Sequence, residues 1–276
     1  MKRSKKKVAA IQLASGSNVN ANLLETERLV EAAAKQGAEM VVLPENFAFM
    51  GRSCGDANAL REAPGDGPLQ AFLSQLANRH GLWVVGGTIP MEAEHAAKWR
   101  AACTVYDAQG RQVGRYDKQH LFDVNLIESD EQFVESESIE PGETVVVLDS
   151  PVGRLGISVC YDLRFPELYR AMVDRGVEVM ALPAAFTAIT GRAHWETLVR
   201  ARAIENLCYV IAAAQGGFHI ASRQTYGHSM VVDPWGTKLA ERERGNGCVV
   251  AEIDPDFQHT TRRNFPCLDH RRLHCR

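Results

Sequence analysis

The sequence has no strong excess of charge of either sign. Its 31 Lys and Arg residues are balanced by 34 Asp and Glu residues, so the formal net charge is −3 at pH 7 and the pI is near 6.3. Proteins that bind nucleic acid or anionic membranes through non-specific charge need a clear basic excess. We therefore expect no nucleic-acid partner and no membrane partner. A small molecule or a peptide is the favoured partner.

The sequence also has no long apolar run and no regular cysteine pattern. The basic start MKRSKKK is followed by VAAIQLASGSN, which is too short and too soon polar for a signal-peptide core or a membrane span. The 7 cysteines lie singly from Cys54 to Cys275. A secreted disulfide framework usually has an even number of cysteines at close spacing. These absences predict a cytoplasmic protein with reduced thiols.

What the sequence does contain is an alternation of strand and helix patterns. KVAAIQLAS, AEMVVLPEN and LWVVGGTIP are typical of buried strands. Between them, NANLLETERLVEAAAKQGA and GPLQAFLSQLANRHG have helical periodicity, and we predict that Asn20 caps the first helix and Gly37 ends it. A β-α-β-α-β order indicates parallel strands with crossover helices. With 45% hydrophobic residues among 276, one α/β domain over residues 1–276 is the simplest prediction.

The middle and the end of the sequence depart from this alternation. RAACTVYDAQGRQVGRYDKQH contains two β-rich stretches around residues 107–110, which predicts a hairpin. Residues 121–143 are polar and acidic without a clear period, and a connection of this length either carries function or lacks fixed structure. Pro166 predicts the start of a helix shortly after Cys160. We place the core at about residues 7–256 and a C-terminal tail at about residues 257–276.

Three reactive side chains stand where a predicted strand gives way to a loop. Glu45 follows MVVLP, Lys118 follows QVGRYD and Cys160 follows LGISV. Ligands of α/β sheets bind at the carboxyl ends of strands, so these side chains are candidates for one shared crevice. Each also has an ordinary structural explanation: Glu45 as a capping acid, Lys118 as a surface cation and Cys160 as a buried thiol.

Together, these three side chains suit nucleophilic catalysis. A free thiol with a pKa of ~8.5 is only slightly ionised at neutral pH, so a nucleophilic cysteine needs a base or a nearby positive charge. In this hypothesis Glu45 accepts the thiol proton and passes it to a leaving amine. Lys118 favours the thiolate, and it donates to the oxyanion together with the backbone N–H of Tyr161.

The blocks around these residues resemble the signatures of the carbon–nitrogen hydrolase (nitrilase) superfamily. LPENF contains Glu45, YDKQHLFD contains Lys118 and CYDLRFPELYR contains Cys160, in the order and separation of that family. The resemblance implies a four-layer α-β-β-α sandwich in a single domain. It also implies a homodimer or a higher homo-oligomer, and a Glu-Lys-Cys catalytic set that works with no metal or organic cofactor.

The resemblance further implies a second glutamate beside the lysine. FVESESIEPGE is similar to the family pattern of a Glu-Ser pair a few residues before Pro-Gly, which selects Glu135 as a supporting residue. Glu128, Glu131 and Glu137 are its acidic neighbours. Without the family, a solvated acidic loop is the ordinary interpretation of this segment.

The later segments indicate a branch of the family. PAAFTAITGRAHWETLVRARAIENLCYVIAAAQ and RQTYGHSMVVDPWG resemble the amidases that hydrolyse deaminated glutathione to 2-oxoglutarate and cysteinylglycine. The alternatives are an ω-amidase that acts on α-ketoglutaramate and an N-carbamoyl amino acid hydrolase. Because the first substrate carries carboxylates, Arg164 and Arg192 are candidate substrate contacts by position. A structural ion pair explains either arginine equally well.

A Cys-His catalytic site and a zinc site are two alternatives to this interpretation. A papain-like Cys-His enzyme would use His120 or His194, but no papain-type signature surrounds Cys160. In the tail CLDHRRLHC, the possible zinc ligands lie without a loop between their pairs, unlike the usual structural sites, so we predict no metal. These possible ligands are Cys267, His270, His274 and Cys275.

A non-catalytic interaction protein that has kept the fold is the third class of function. The joint presence of Glu45, Lys118 and Cys160 disfavours it, because a protein that has lost its activity has no reason to keep all three.

Overall fold

Two β-sheets lie face to face between two layers of helices. The computed structural model describes residues 3–126 and 131–273. The strands are β1 (Lys6–Gln12), β2 (Met40–Val42), β3 (Trp83–Val85), β4 (Ile89–Glu92), β5 (Trp99–Tyr106), β6 (Gln112–Asp117), β7 (Asp123–Leu126), β8 (Glu131–Val134), β9 (Val147–Ser150), β10 (Gly153–Ile157), β11 (Val179–Ala184), β12 (Tyr209–Ala214), β13 (Gly216–Phe218), β14 (Gln224–Tyr226), β15 (Ser229–Val232), β16 (Lys238–Arg242) and β17 (Gly247–Ile253).

The helices are of different lengths, and several single turns separate them. The α-helices are α1 (Val19–Lys35), α2 (Pro68–His80), α3 (Pro166–Asp174), α4 (Ala188–Thr190), α5 (Glu196–Asn206) and α6 (Pro255–Asn264). A π-helical turn, Gly191–Trp195, joins α4 to α5. Short 3₁₀ helices are Cys54–Leu60, Glu135–Glu137, Cys160–Arg164 and Ile220–Ser222. Every helix in the described ranges is too short or too polar to span a bilayer.

Both sheets have a parallel centre and antiparallel edges. The first has the order β17-β1-β2-β3-β5-β4, with β6 paired to β5, and the second has the order β16-β15-β12-β11-β10-β9. Strands β1, β2 and β3 are parallel, as are β10, β11 and β12. The predicted hairpin around residues 107–110 is the β5–β6 pair. The predictions of an α/β fold and of parallel strands are confirmed.

Alternate residues of β1 divide the core between the layers. Val8 and Ala10 belong to the apolar cluster shared with the second sheet, whereas Ala9 and Ile11 belong to the cluster that includes residues of α1 and α2. This alternation follows from the two-residue period of a strand. Helices α3 and α5 pack on the far side of the second sheet, and Tyr169 of α3 is fully buried there. The four-layer α-β-β-α prediction is confirmed.

The boundaries of α1 correct one prediction. Asn18, not Asn20, is the N-cap, and its side chain accepts a hydrogen bond of 3.1 Å from the Ala21 N–H. Two Asn residues at this spacing are equally good caps, and the helix begins at the earlier one. Gly37 follows the helix with a positive φ of 85°, as a C-terminal glycine does.

The described part of residues 121–143 contains regular secondary structure. Strands β7 and β8 pair antiparallel, and a 3₁₀ turn that begins at Glu135 follows β8. The candidate Glu128 lies outside the described residues. The segment therefore presents Glu135 from a turn that directly follows a β-strand.

The packed structure continues past residue 256. Helix α6 crosses that position, and Gln258 Nε2 donates to the backbone oxygens of Glu178 at 2.7 Å and Leu207 at 2.9 Å. Arg262 Nη2 donates to Val177 O at 2.7 Å. Much of the segment predicted as a tail is therefore a docked helix.

Gly87 allows the loop that carries Glu45 to approach β3 closely. Its φ is +58°, and a Cβ atom at this position would lie 2.2 Å from the carbonyl oxygen of Pro44. Neither the backbone angle nor this distance accommodates a side chain. The loop is also held by Thr88 Oγ1, which accepts from the Asn46 N–H at 2.8 Å. Pro44 and Asn46, on the two sides of Glu45, thus both lie against the segment between β3 and β4.

Candidate active site

Glu45, Lys118 and Cys160 meet between the two sheets, as their positions after strands indicate. Glu45 follows β2, Lys118 follows β6 and Cys160 follows β10. The Nζ of Lys118 lies 2.8 Å from Glu45 Oε1. The relative exposures of Glu45, Lys118 and Cys160 are 4%, 1% and 8%, so all three are removed from bulk water. The predicted convergence of these three side chains is what the structure contains.

Glu135 completes the set from the opposite side of Lys118. Its carboxylate oxygens lie 3.0 and 2.8 Å from Lys118 Nζ, and one of them also accepts from the Phe122 N–H at 2.8 Å. Among its acidic neighbours, Glu137 is exposed. Lys118 is therefore a buried ammonium between two carboxylates that come from distant parts of the chain.

The charges around Lys118 outweigh the effect of its burial. Burial by itself lowers the pKa of the Lys118 ammonium, but the carboxylates of Glu135 and Glu45 raise it, and the resulting pKa lies well above the ordinary value. Lys118 therefore carries its proton throughout the physiological pH range. A permanent positive charge suits a group that stabilises an anion, and it does not suit a base.

The thiol of Cys160 is held in its neutral form. Burial raises the pKa of the Cys160 thiol, the charge of Glu45 raises it further, and Lys118 lowers it by less, so the pKa lies well above its ordinary value. Sequence reasoning expects Lys118 to favour the thiolate, and it does, but burial and Glu45 outweigh it. A neutral thiol beside a carboxylate needs that carboxylate as its base at the moment of attack.

A strained turn presents the Cys160 side chain. Cys160 has a φ of +50°, which costs a non-glycine residue on the order of 1 kcal/mol. The buried carboxylate of Asp162 holds this turn, because it accepts from the Val159 N–H at 2.8 Å and from the Tyr116 hydroxyl at 2.6 Å. The Ala185 N–H lies 3.5 Å from Cys160 Sγ. Sequence reasoning missed Asp162, although CYDLR places it two residues after the thiol.

The two histidines of the papain-like alternative have other partners. His120 Nδ1 lies 2.7 Å from Asp162 Oδ1, and the His120 ring stacks on Phe165 with ring centres 3.7 Å apart. His194 is exposed, and its Nδ1 lies 3.3 Å from Arg164 Nη1. Neither histidine is among the residues that line the pocket over Cys160, so the structure gives the papain-like alternative no support.

A narrow pocket opens over Cys160. It is lined by Glu45, Phe122, Glu135, Cys160, Tyr161, Arg164, Ala185, Phe186, Thr187, Thr190 and Arg223. The candidates Tyr161 and Arg164 thus line the pocket. Arg192 is exposed on the π-helical turn and does not line it, so its proposed contact with substrate stays a prediction. Arg223 also lines the pocket, and sequence reasoning missed it. The segment RQTYGHS, which begins at Arg223, indicated the family branch but did not mark Arg223 as a site residue.

The possible zinc site in the tail is only partly within the described residues. His274 and Cys275 lie outside them. Within residues 3–126 and 131–273, no group of three or more His, Cys, Asp or Glu side chains is arranged to hold a metal ion. The absence of a metal in the tail remains a prediction.

The chain matches a known protein family over most of its length. The sequence model of the carbon-nitrogen hydrolase family matches residues 7–263. This chain belongs to the carbon–nitrogen hydrolase family. The prediction of an enzyme that hydrolyses carbon–nitrogen bonds is thereby confirmed.

Individual relatives match over nearly the whole chain. A protein of Yersinia enterocolitica named deaminated glutathione amidase is 41% identical over 96% of this chain and 93% of its own length. A protein of the same name from Synechocystis is 43% identical, over 95% of this chain and 97% of its own length. The crystal structure of Saccharomyces cerevisiae Nit3, a member of branch 10 of the nitrilase superfamily, has a TM-score of 0.88 at 33% identity and covers 99% of this chain and 98% of its own.

The charges around Cys160 predict that replacing Glu45 by a neutral residue lowers the pKa of the Cys160 thiol. In Glu45→Gln the negative charge that raises the thiol pKa is gone while Lys118 remains, so we expect the pH midpoint for alkylation of Cys160 to fall by about one pH unit. The measurement is the rate of haloacetamide labelling at different pH values, read by mass spectrometry of the peptide that contains Cys160. Glu137→Gln, at an exposed acid of the same loop as Glu135, is the matched control and leaves the midpoint in place. An unchanged or higher midpoint in Glu45→Gln would show that Glu45 does not control the thiol.

Proposed function

We propose that this protein is an amidase that hydrolyses deaminated glutathione to 2-oxoglutarate and cysteinylglycine. The observation that carries the reaction type is the contact of one buried cation with two carboxylates beside a thiol that lines a pocket. The substrate is supported by the names of relatives that match over more than nine tenths of both chains. The roles of the individual residues below belong to the same proposal.

In the first half of the reaction, Glu45 accepts the proton of the Cys160 thiol as Sγ attacks the amide carbonyl carbon. The tetrahedral intermediate collapses when its carbon–nitrogen bond breaks, and Glu45 gives the same proton to the departing amine. A thioester joins the 2-oxoglutaryl group to Cys160. Because Glu45 ends this step as a carboxylate, it is ready for the next one.

In the second half, Glu45 accepts a proton from water, and the resulting hydroxide attacks the thioester carbonyl. The carbon–sulfur bond breaks, 2-oxoglutarate leaves, and the proton on Glu45 returns to the thiolate of Cys160. The sum is one amide and one water converted to one acid and one amine. No redox partner is needed for this balance.

Lys118 and the Tyr161 N–H are proposed to stabilise the oxyanion of both tetrahedral intermediates. A fixed ammonium in a site with little water is worth far more to a developing anion than the same group in bulk water. Glu135 is a positioning residue in this scheme. Its contacts with Lys118 at 2.8 and 3.0 Å hold the ammonium while Glu45 exchanges its proton.

Arg164 is proposed to bind the carboxylate of the 2-oxoglutaryl group. It lines the pocket together with Cys160, and its guanidinium lies 5.8 Å from the centre of the Tyr161 ring and 5.4 Å from that of Phe186. The two aromatic rings hold the guanidinium in place, and its Nη1 also lies 3.3 Å from His194 Nδ1, so the other N–H groups are the donors that we propose for the carboxylate. Thr187 and Thr190 line the same pocket, and their hydroxyl oxygens lie 2.8 Å apart.

The test is a comparison of kcat/KM for deaminated glutathione, α-ketoglutaramate and N-carbamoyl amino acids with one preparation of enzyme. We expect deaminated glutathione to be preferred by roughly tenfold or more, the discrimination of at least one charge-assisted contact. Cys160→Ala should abolish turnover, and Glu45→Gln should lower it by roughly 10²- to 10⁴-fold. Cys248→Ala, at a half-buried thiol outside the pocket, is the control and keeps its activity. Preference for either of the other two substrates would refute the substrate and leave the reaction type in place.

We further propose a cytoplasmic location. A thiol nucleophile needs a reducing environment, and the six cysteines within the described residues are all free. Cell fractionation with immunodetection of the protein tests this proposal, and recovery in an oxidising compartment would contradict it.

We also propose that the protein is a homodimer. Ile204, Trp235 and Phe265 form an exposed apolar patch, in which Trp235 and Phe265 are 59% and 52% exposed and their ring centres lie 5.7 Å apart. Ile204 reaches this patch through its contact with Gly236. Exposed apolar residues in contact with each other are typical of a surface that is covered in an assembly.

Sedimentation equilibrium tests the assembly. We expect a mass of two chains for the wild type and a shift toward one chain in Trp235→Glu, because a buried charge disrupts an apolar interface. Leu24→Glu, at an exposed apolar residue of α1, is the matched control and leaves the dimer intact. A wild-type mass of one chain at micromolar concentration would contradict the proposal.

A further inference from the structure

Arg223 is a cation of the pocket that has no hydrogen-bonded partner at its Nε. This atom is buried and lacks an acceptor among the described residues, while the guanidinium carbon lies 5.4 Å from the centre of the Phe133 ring. The nearby carboxylates of Glu45 and Glu135 are both bound to Lys118. A buried donor without an acceptor is costly and rare in folded proteins. Arg223 is thus placed to receive an acceptor from a ligand.

A second space adjoins the pocket over Cys160. We call the space over Cys160 the acyl chamber and the second space the outer chamber. The two share Glu45, Glu135 and Arg223, and the outer chamber is also lined by residues of 46–57 and by Trp99, Ala101 and Ile139. Cys160 and Arg164 line the acyl chamber and not the outer one. Arg223 is therefore at the junction of the two chambers.

From the outer chamber, a surface groove leads outward. Ser53, Cys54 and Arg223 line both the outer chamber and this groove, which is also bordered by Gln132 and Phe133 of β8. A ligand that extends from Cys160 through the outer chamber therefore passes Arg223. Arg164 lines only the inner end of this path.

The position of Glu45 orients the substrate between the chambers. In the proposed reaction Glu45 protonates the leaving nitrogen, so this nitrogen lies on the Glu45 side of the scissile carbon. Glu45 lines the outer chamber and Cys160 does not. The acyl group accordingly remains in the acyl chamber beside Arg164, and the amine leaves toward the outer chamber.

We propose that Arg223 binds the carboxylate of the leaving group and so makes the enzyme selective for amides whose amine is a short peptide with a free C-terminus. This inference rests on the proposed function, in which the leaving amine is a dipeptide. A dipeptide places its carboxylate roughly 7 Å from the nitrogen that Glu45 protonates, and Glu45 and Arg223 both line the outer chamber. The planar guanidinium pairs with a carboxylate through two parallel N–H groups, and the pair satisfies the buried Nε.

The experiment compares two amides with the same 2-oxoglutaryl acyl group. One has cysteinylglycine as its leaving group, and the other, α-ketoglutaramate, releases ammonia. In Arg223→Gln we expect kcat/KM for the peptidyl amide to fall roughly 10- to 100-fold, mainly through KM, and the value for α-ketoglutaramate to fall far less. Arg223→Lys keeps the charge without the paired geometry and should recover part of the loss.

A third substrate isolates the contact. When the C-terminal carboxylate of the peptidyl amide is replaced by a carboxamide, wild-type kcat/KM should fall by about the same factor as in Arg223→Gln, and the variant should lose little more. Arg79→Gln, at an exposed arginine that pairs with Glu27 on the helical face, is the control for loss of one positive charge. Hydrolysis of α-ketoglutaramate by Arg223→Gln shows that the variant is folded.

The outcomes separate this inference from the proposed function. The proposed role of Arg223 would be wrong if Arg223→Gln lowered kcat/KM equally for both 2-oxoglutaryl amides. It would also be wrong if the wild type hydrolysed the carboxamide as efficiently as the carboxylate. Neither result would contradict the proposed amidase activity. A wild type that hydrolyses neither 2-oxoglutaryl amide would instead overturn the proposed function, and the leaving-group contact with it.

Discussion

The buried ammonium of Lys118 is the group around which the site is built. Removing a charge from water is unfavourable by several kcal/mol, and only well-placed opposite charges offset this cost. Glu45 and Glu135 supply them at 2.8 Å from the nitrogen. The three residues follow different strands, so this one cluster ties the loop after β2, the end of β6 and the turn after β8 to each other. The same contacts hold the ammonium beside the pocket that Glu45 and Glu135 line.

A second constraint acts on the thiol. The left-handed backbone at Cys160 persists because Asp162 binds the turn on one side and the β6 segment, through Tyr116 and His120, on the other. That segment also carries Lys118. The thiol and the cation are therefore positioned by one connected network, while burial and the charge of Glu45 hold the pKa of the thiol above its ordinary value. In the proposed mechanism, reactivity depends on Glu45 as the base and not on a preformed thiolate.

Sequence patterns predicted the parts that depend on local order. Strand periodicity and the polar residue after each strand indicated Glu45, Lys118 and Cys160, and the four layers followed from family resemblance. Glu135 needed that resemblance as well, because its acidic neighbours have the same chemistry and only the fold distinguishes them. Asp162 and Arg223 were missed for a different reason. Their partners or pockets are assembled from residues more than 40 positions away, which no local pattern reports.

In the proposed reaction, the carbon–nitrogen bond of the amide is broken and the acyl group is joined to Cys160 as a thioester. The most direct measurement is mass spectrometry of enzyme quenched in acid during turnover of a 2-oxoglutaryl amide, followed by digestion to locate the adduct. We expect the peptide that contains Cys160 to gain the mass of the 2-oxoglutaryl group, and hydroxylamine to remove this group. An adduct on another side chain, or full turnover in Cys160→Ala, would show that the reaction does not pass through a thioester at Cys160.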